Sequence, residues 1–320
     1  MDKNAERNIV EMVFGGDSSI KIEDSEKPDF VCVAETGIEF GAEVTDFYLS
    51  ESEARLHHIP NYAKDLLNAK AYRHKDDKQK IRVDKIIYRS SKTGEEREIL
   101  AIIGEEHTID DVISRIRSAV KSKTEKIAGY STDIVDLIIR DVGSRAGFES
   151  LEKLIHSIRR TDASDAILDT GFREIYLLTK QKGDWVCVPL RANLFVAEVL
   201  KFQRLFREYH GPSFTTLTIG DYMIELARHL VNRIGVIKFD VPKNNQPRLI
   251  FGSVAVGYGE NQELKIVDIS VNNVTDHEVI DFDSEGDSGL QEFVEAEIGS
   301  IFACAPILFP ARQPQSRKHL

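Results

Sequence analysis

The chain has 320 residues and a formal net charge of -11, from 42 Lys+Arg against 53 Asp+Glu. A chain this long buries a sizeable core without cross-links, and its acidity excludes a protein that coats nucleic acid by bulk positive charge, so any nucleic-acid surface must be local. Cys32, Cys187 and Cys304 show no CxxC spacing, which excludes a disulfide framework or zinc ribbon; with a charged N-terminus and no run of about 18 apolar residues, the expectation is a cytoplasmic protein with no membrane span.

Residues 4–14 place Ala5, Ile9, Met12 and Val13 on one helical face, and Gly15-Gly16 ends the helix. Three β-rich runs follow, at 19–23, 30–34 and 38–47, which makes a helix and a three-stranded meander. Ser50 with Glu53 forms a capping box for a helix over 51–58, which Pro60 interrupts and 61–70 resumes. A basic insertion, about 71–127, holds a hairpin (80–89 with 97–104) and an amphipathic helix over 108–127. The apolar run 133–142 reads as a strand buried on both faces. A helix near 148–159, strands near 172–179 and 185–189 and a helix over 193–209 complete an α/β pattern, closed by a boundary at His210-Gly211-Pro212. Residues 211–320 read as a smaller acidic α+β domain: a helix over 219–234, strands at 237–241, 248–256 and 263–271, and a helix over 289–302.

The meander carries the chemistry. A two-residue turn at Thr36-Gly37 sets Asp29 and Glu43 on opposite sheet faces, whereas a three-residue turn with Gly37 left-handed pairs Phe30 with Ala42 and Cys32 with Phe40. The second register makes one face wholly apolar and is selected by burial. It sets Asp29 directly opposite Glu43, with Thr45 two residues beyond, and two like charges so placed favour a divalent cation. Glu6 flanks the apolar stripe of the first helix and can add a third oxygen, while Glu11 points away.

These residues resemble the PD-(D/E)xK nuclease superfamily: a helix, a meander whose second strand opens with Pro28-Asp29, and a third strand carrying Glu43-Val44-Thr45. The resemblance implies a restriction-endonuclease-like core of helix, β-meander, helix and strand within residues 1–210. It also implies Mg2+ or Mn2+ on Asp29, Glu43, the Val44 carbonyl and at times Glu6, and a metal-activated water that cleaves a phosphodiester, in a role such as prokaryotic antiviral defence. Thr45 stands where the family usually has lysine. Lys64, His57 or His58 on the following helix are the candidate substitutes; a member lacking such a cation would be a silent nucleic-acid-binding or assembly subunit.

Between Arg55 and Lys92 stand eleven Lys/Arg and four Asp, a net of +7. Arg55, Arg73, Lys75, Lys78 and Lys80 are therefore the candidate DNA contacts, RNA being the other polynucleotide such a surface suits. Arg115, Arg117, Lys121, Lys123 and Lys126 add a second basic stretch. The acidic 276–297 segment is unsuited to phosphate, and the C-terminal domain is expected to serve specificity, regulation or assembly with a second copy or partner subunit. Asp281 to Glu292 approaches an EF-hand spacing, but Glu285 and Ser288 depart from it, so an acidic helix start is the better reading. Ser118-x-x-Lys121 is a chance match in a Lys/Ser-rich face, and no Walker, G-x-G-x-x-G or G-x-S-x-G motif occurs.

Overall fold

The computed structural model describes residues 2–15, 20–35, 37–89, 94–143, 151–216, 218–235, 237–240, 247–258, 264–268, 278–279, 287–296 and 306–311. Helix α1 (Lys3–Phe14) starts at Asp2, whose carboxylate accepts from the Ala5 N–H at 2.9 Å. The meander β1 (Lys21–Asp24), β2 (Phe30–Val33) and β3 (Glu39–Phe47) follows in the register that burial selects: Phe30 pairs with Ala42, Val31 with Gly41, Cys32 with Phe40 and Val33 with Glu39. Gly37 takes the left-handed φ of 81° that the turn requires.

Next come α2 (Glu51–His58), capped by Ser50 as the sequence indicates, α3 (Tyr62–Ala69), the short α4 (Asp77–Lys80), and a hairpin of β4 (Arg82–Arg89) and β5 (Glu96–Ile103). Helix α5 (Ile109–Thr124) is opened by a capping box between Thr108 and Asp111. Then follow β6 (Val135–Asp141), α6 (Leu151–Arg159), α7 (Ala163–Leu168), β7 (Ile175–Gln181), β8 (Asp184–Pro189) and the long α8 (Leu190–His210). The last part comprises α9 (Ile219–Ile234), β9 (Lys238–Asp240), β10 (Arg248–Phe251), β11 (Val254–Tyr258), β12 (Leu264–Asp268), β13 (Glu278–Val279), α10 (Ser288–Ala296) and β14 (Phe309–Pro310).

The fold is mixed α/β. Its larger sheet has the order β1-β2-β3-β6-β7-β8-β14, with β3, β6 and β7 parallel and the flanking pairs antiparallel. One face buries Phe30, Phe40, Ala42, Val44, Ile138 and Leu178 under the Ile9, Val10 and Phe14 stripe of α1. The other buries Phe47, Leu137, Ile139 and Leu177 under α5, α6, α7 and the start of α8. Burying a parallel strand on both sides demands continuous apolar sequence, and β6 has it.

A five-stranded sheet, β12-β11-β10-β9-β13, packs with α8, α9 and α10 in a second core. Helix α8 serves both cores, Leu190 and Leu194 in the first and Phe195 to Phe206 in the second, and β14 returns to the larger sheet. The expected single strand at 248–256 is instead a hairpin, because Gly252 adopts φ 60° and turns the chain between two apolar runs. The helix expected over 108–127 ends at Thr124, followed by a single 3-10 turn at Ile127–Gly129. Residues 281–286 of the EF-hand-like segment, Cys304 and the 312–320 tail lie outside the described residues.

Candidate active site

Strand alternation and one loop place the candidate acids. The Gly41 N–H donates to the Ile134 carbonyl at 2.7 Å, so Gly41, Glu43 and Thr45 aim their backbone groups at β6, whereas Ala42 and Val44 aim theirs at β2. The last ladder pair between β2 and β3 is Phe30 with Ala42. Beyond it the Val44 N–H donates to Asp29 Oδ2 at 2.8 Å, which satisfies an edge donor and fixes the carboxylate beside β3. The Val44 carbonyl points along the same edge. Asp29 is held from behind: a Cβ at Gly41 would come within 2.3 Å of Pro28 Cγ and 2.6 Å of Thr132 Oγ1, and Ser131 bonds the Lys27 carbonyl through its N–H (2.9 Å) and hydroxyl (3.0 Å).

Glu43 lies on the α5 side of the sheet with only 6% of its surface exposed. The cation that reaches it is Lys123, in the last turn of α5, with Nζ 2.5 Å from Glu43 Oε1. Ile116 and Val120 of the same helix are fully buried, so this lysine projects from a fixed element. Thr45 follows Glu43 on the same face, half-buried, opposite Ile139. Lys64 is exposed on α3, which packs on α2 and the hairpin, and His57 and His58 flank the Tyr48 ring at centroid distances of 5.6 and 5.3 Å. None of these three makes a bond to the acidic pair among the described residues. The cation paired with Glu43 thus comes from α5, a residue the sequence assigns only to a basic stretch.

Glu6 and Lys3 approach from the N-terminal turn of α1. Lys3 Nζ lies 3.7 Å from Glu6 Oε2 and 3.9 Å from Asp29 Oδ1. Burial first, then the Asp29 and Glu43 charges, hold the Glu6 carboxyl above its ordinary pKa against the opposing pull of Lys3. The Tyr130 hydroxyl comes up to Glu43 without reaching hydrogen-bond geometry, and burial followed by the Glu43 and Asp29 charges raises its pKa. Two ammonium groups therefore stand on the carboxylates whose mutual repulsion, in the sequence alone, points to a metal.

The donors suit a hard divalent ion: two carboxylates and a backbone carbonyl on one edge. Among the described residues no group of three or more His, Cys, Asp or Glu side chains stands close enough to hold a metal. The groups that would be open to such an ion are the Asp29 and Glu43 carboxylates and the Val44 oxygen, a set short enough to suit Mg2+, which usually retains several waters.

The basic segment has a different character from its sequence count. Arg55 is bonded to buried Asp77 (3.0 Å) and to Glu51 (2.8 Å), and Arg73 to Asp65 (2.5 Å). Lys80 has Glu105 at 3.9 Å, and Lys85 has Glu98 at 2.5 Å. Asp77 also accepts from Ser52 Oγ (2.7 Å) and the Tyr62 hydroxyl (2.6 Å), so Arg55 belongs to the joint that fastens α2, α3 and α4. Lys75 and Lys78 are exposed without an ion pair among the described residues, as are Arg115, Lys121 and Lys126 around α5. A polar cleft of about 650 Å³, lined in part by Ser50, Arg55, Glu105, Asp111 and Arg115, lies at the other end of α5, roughly 18 Å from Lys123 at 1.5 Å per residue.

No family model matches the chain, and neither the curated proteins nor the solved structures include a match. Among the described residues no helix is long and apolar enough to cross a membrane.

Proposed function

We propose that the protein is a metal-dependent endonuclease of the restriction-endonuclease-like class that hydrolyses DNA phosphodiester bonds. The observation that carries this reading is that adjacent residues of β3 hold both acids, Asp29 on the Val44 N–H and Glu43 paired with Lys123 of the helix that crosses the sheet. The order of helix, antiparallel meander, helix and parallel strand supports the same reading.

Asp29 and Glu43 supply anionic oxygens and Val44 a carbonyl dipole at one edge. Mg2+ or Mn2+, when bound there, polarises a phosphoryl oxygen and lowers the pKa of a water. Lys123 offers a fixed ammonium beside Glu43 for the negative charge that develops on the phosphate. That is the task of the motif lysine, which the uncharged Thr45 hydroxyl performs poorly. Lys121 on the same helical turn region and Lys126 just beyond are exposed cations suited to the flanking phosphates.

Incubation with supercoiled plasmid and Mg2+ or Mn2+ tests the reading. Nicking or linearisation by the wild type, abolished in Asp29→Ala and Glu43→Ala, is the expected result. DNA binding without cleavage under either ion would instead make the chain a binding subunit that keeps the architecture without the chemistry.

A further inference from the structure

Lys3 is a cation at the site to which the nuclease reading above gives no role. Its ammonium lies between two carboxylates, 3.7 Å from Glu6 Oε2 and 3.9 Å from Asp29 Oδ1. It is also seated: Nζ donates to the Ser25 carbonyl at 2.8 Å and stands 4.6 Å above the centroid of the Phe30 ring. The helix that carries it is fixed at its start by the Asp2 cap. These contacts hold the ammonium in a defined place rather than leaving it to sample solvent.

The two oxygens of Asp29 have different neighbours. Oδ2 is committed to the Val44 N–H on the β3 side, and Oδ1 faces Lys3. In sites that use two metal ions about 3.5–4 Å apart, a shared carboxylate bridges them. The second position here would fall on the Oδ1 side, between Asp29 and Glu6, and Lys3 fills it. A divalent ion entering there would face the ammonium at close range with twice the repulsion a monovalent ion feels.

We propose that Lys3 is a built-in single positive charge in place of a second metal ion, so that the acidic cluster takes one divalent ion, on Asp29, Glu43 and the Val44 carbonyl. This rests on the metal-dependent reading of the site. Its consequence is a positioning role: Lys3 keeps Glu6 out of the coordination shell and restricts the ion to the side of Asp29 nearest Lys123.

Mn2+ titration of the full chain, by calorimetry for stoichiometry and by electron paramagnetic resonance for free ion, tests this without reference to cleavage. The wild type is expected to bind one ion. Lys3→Met, which keeps an unbranched apolar stem over Phe30 and removes the charge, is expected to bind two, and Lys3→Arg one. Two ions in the wild type, or one in a folded Lys3→Met, would overturn the proposal while leaving the nuclease reading intact. No ion in folded wild type or Lys3→Met would remove the metal site itself, and the proposal with it. Should Lys3→Met lose its circular dichroism signal, Lys3→Gln serves the same purpose, with the same two-ion expectation.

Discussion

Replacing Lys123 by Met removes the only cation bonded to Glu43 among the described residues and keeps the aliphatic length of the side chain. Glu43 is 6% exposed, so in the variant a nearly buried carboxylate is left without its ion-pair partner. Breaking a buried pair from one side costs about 3–5 kcal/mol, and partial exposure of Lys123 places the expected loss at the lower end. At roughly 2 °C per kcal/mol for a chain of this size, the melting temperature in EDTA falls by about 6 °C. Two controls separate charge from packing. Glu43→Gln/Lys123→Met recovers most of the loss, because the uncompensated charge is gone. Excess Mn2+ also recovers it, since an ion at one hundred times its Kd contributes about 2.7 kcal/mol. Thermal melts by circular dichroism read all of these. A single variant that melts within about 1 °C of wild type, or a double variant no more stable than the single, would refute the account of Lys123 as the compensating charge.

Gly41→Ala brings a Cβ to 2.3 Å from Pro28 Cγ, so Pro28 and Asp29 must shift; a loss of about 1–3 kcal/mol in urea unfolding and weaker Mn2+ binding by calorimetry are expected. Asp77 is pushed up by burial, but hydrogen bonds from Ser52, Tyr62 and Arg55 outweigh this and hold its pKa below the ordinary value of 3.8. Its stabilising contribution is therefore present above that value and lost as the pH falls through the folded pKa. Acid titration of stability should be shallower in Asp77→Asn, which also loses about 2 kcal/mol at neutral pH. Glu174, fully buried, accepts from the Arg191 and Ala192 N–H groups that open α8 and from Ser253, yet burial holds its pKa above the ordinary 4.5. That contribution is full below the ordinary value and declines as pH rises through the folded pKa, so the melting-temperature gap between wild type and Glu174→Gln should narrow from acid toward neutral pH.

The meander was legible in the sequence because its evidence is local. Alternation over residues 30–33 and 39–47 with one glycine at 37 leaves a single register that hides Phe30, Cys32, Phe40 and Ala42; the ladder ends at Phe30 with Ala42, and the Asp29 carboxylate, expected opposite Glu43, takes the Val44 N–H instead. Lys123 was not legible as their partner, since it stands 80 residues from Glu43 and reaches it only because α5 crosses the sheet. Its charge counted in the basic stretch, but a count carries no direction. The same limit explains the Arg55 to Lys92 segment: its +7 leaves out Glu51, Glu98 and Glu105, which cross-strand and helical neighbours bring onto Arg55, Lys85 and Lys80. The hairpin at Gly252 was hidden by apolar residues on both sides of the turn, a pattern that also fits one buried strand.

Single-turnover cleavage of a labelled DNA duplex in Mg2+ or Mn2+ tests the central claim most directly, with wild type compared against Asp29→Asn, Glu43→Gln and Lys123→Met. The account predicts measurable cleavage by the wild type, none by either carboxylate variant, and a rate about 10²–10³-fold lower for Lys123→Met, the scale of losing one group that stabilises transition-state charge. Undiminished cleavage by Asp29→Asn, or no cleavage by the folded wild type with either ion, would contradict it.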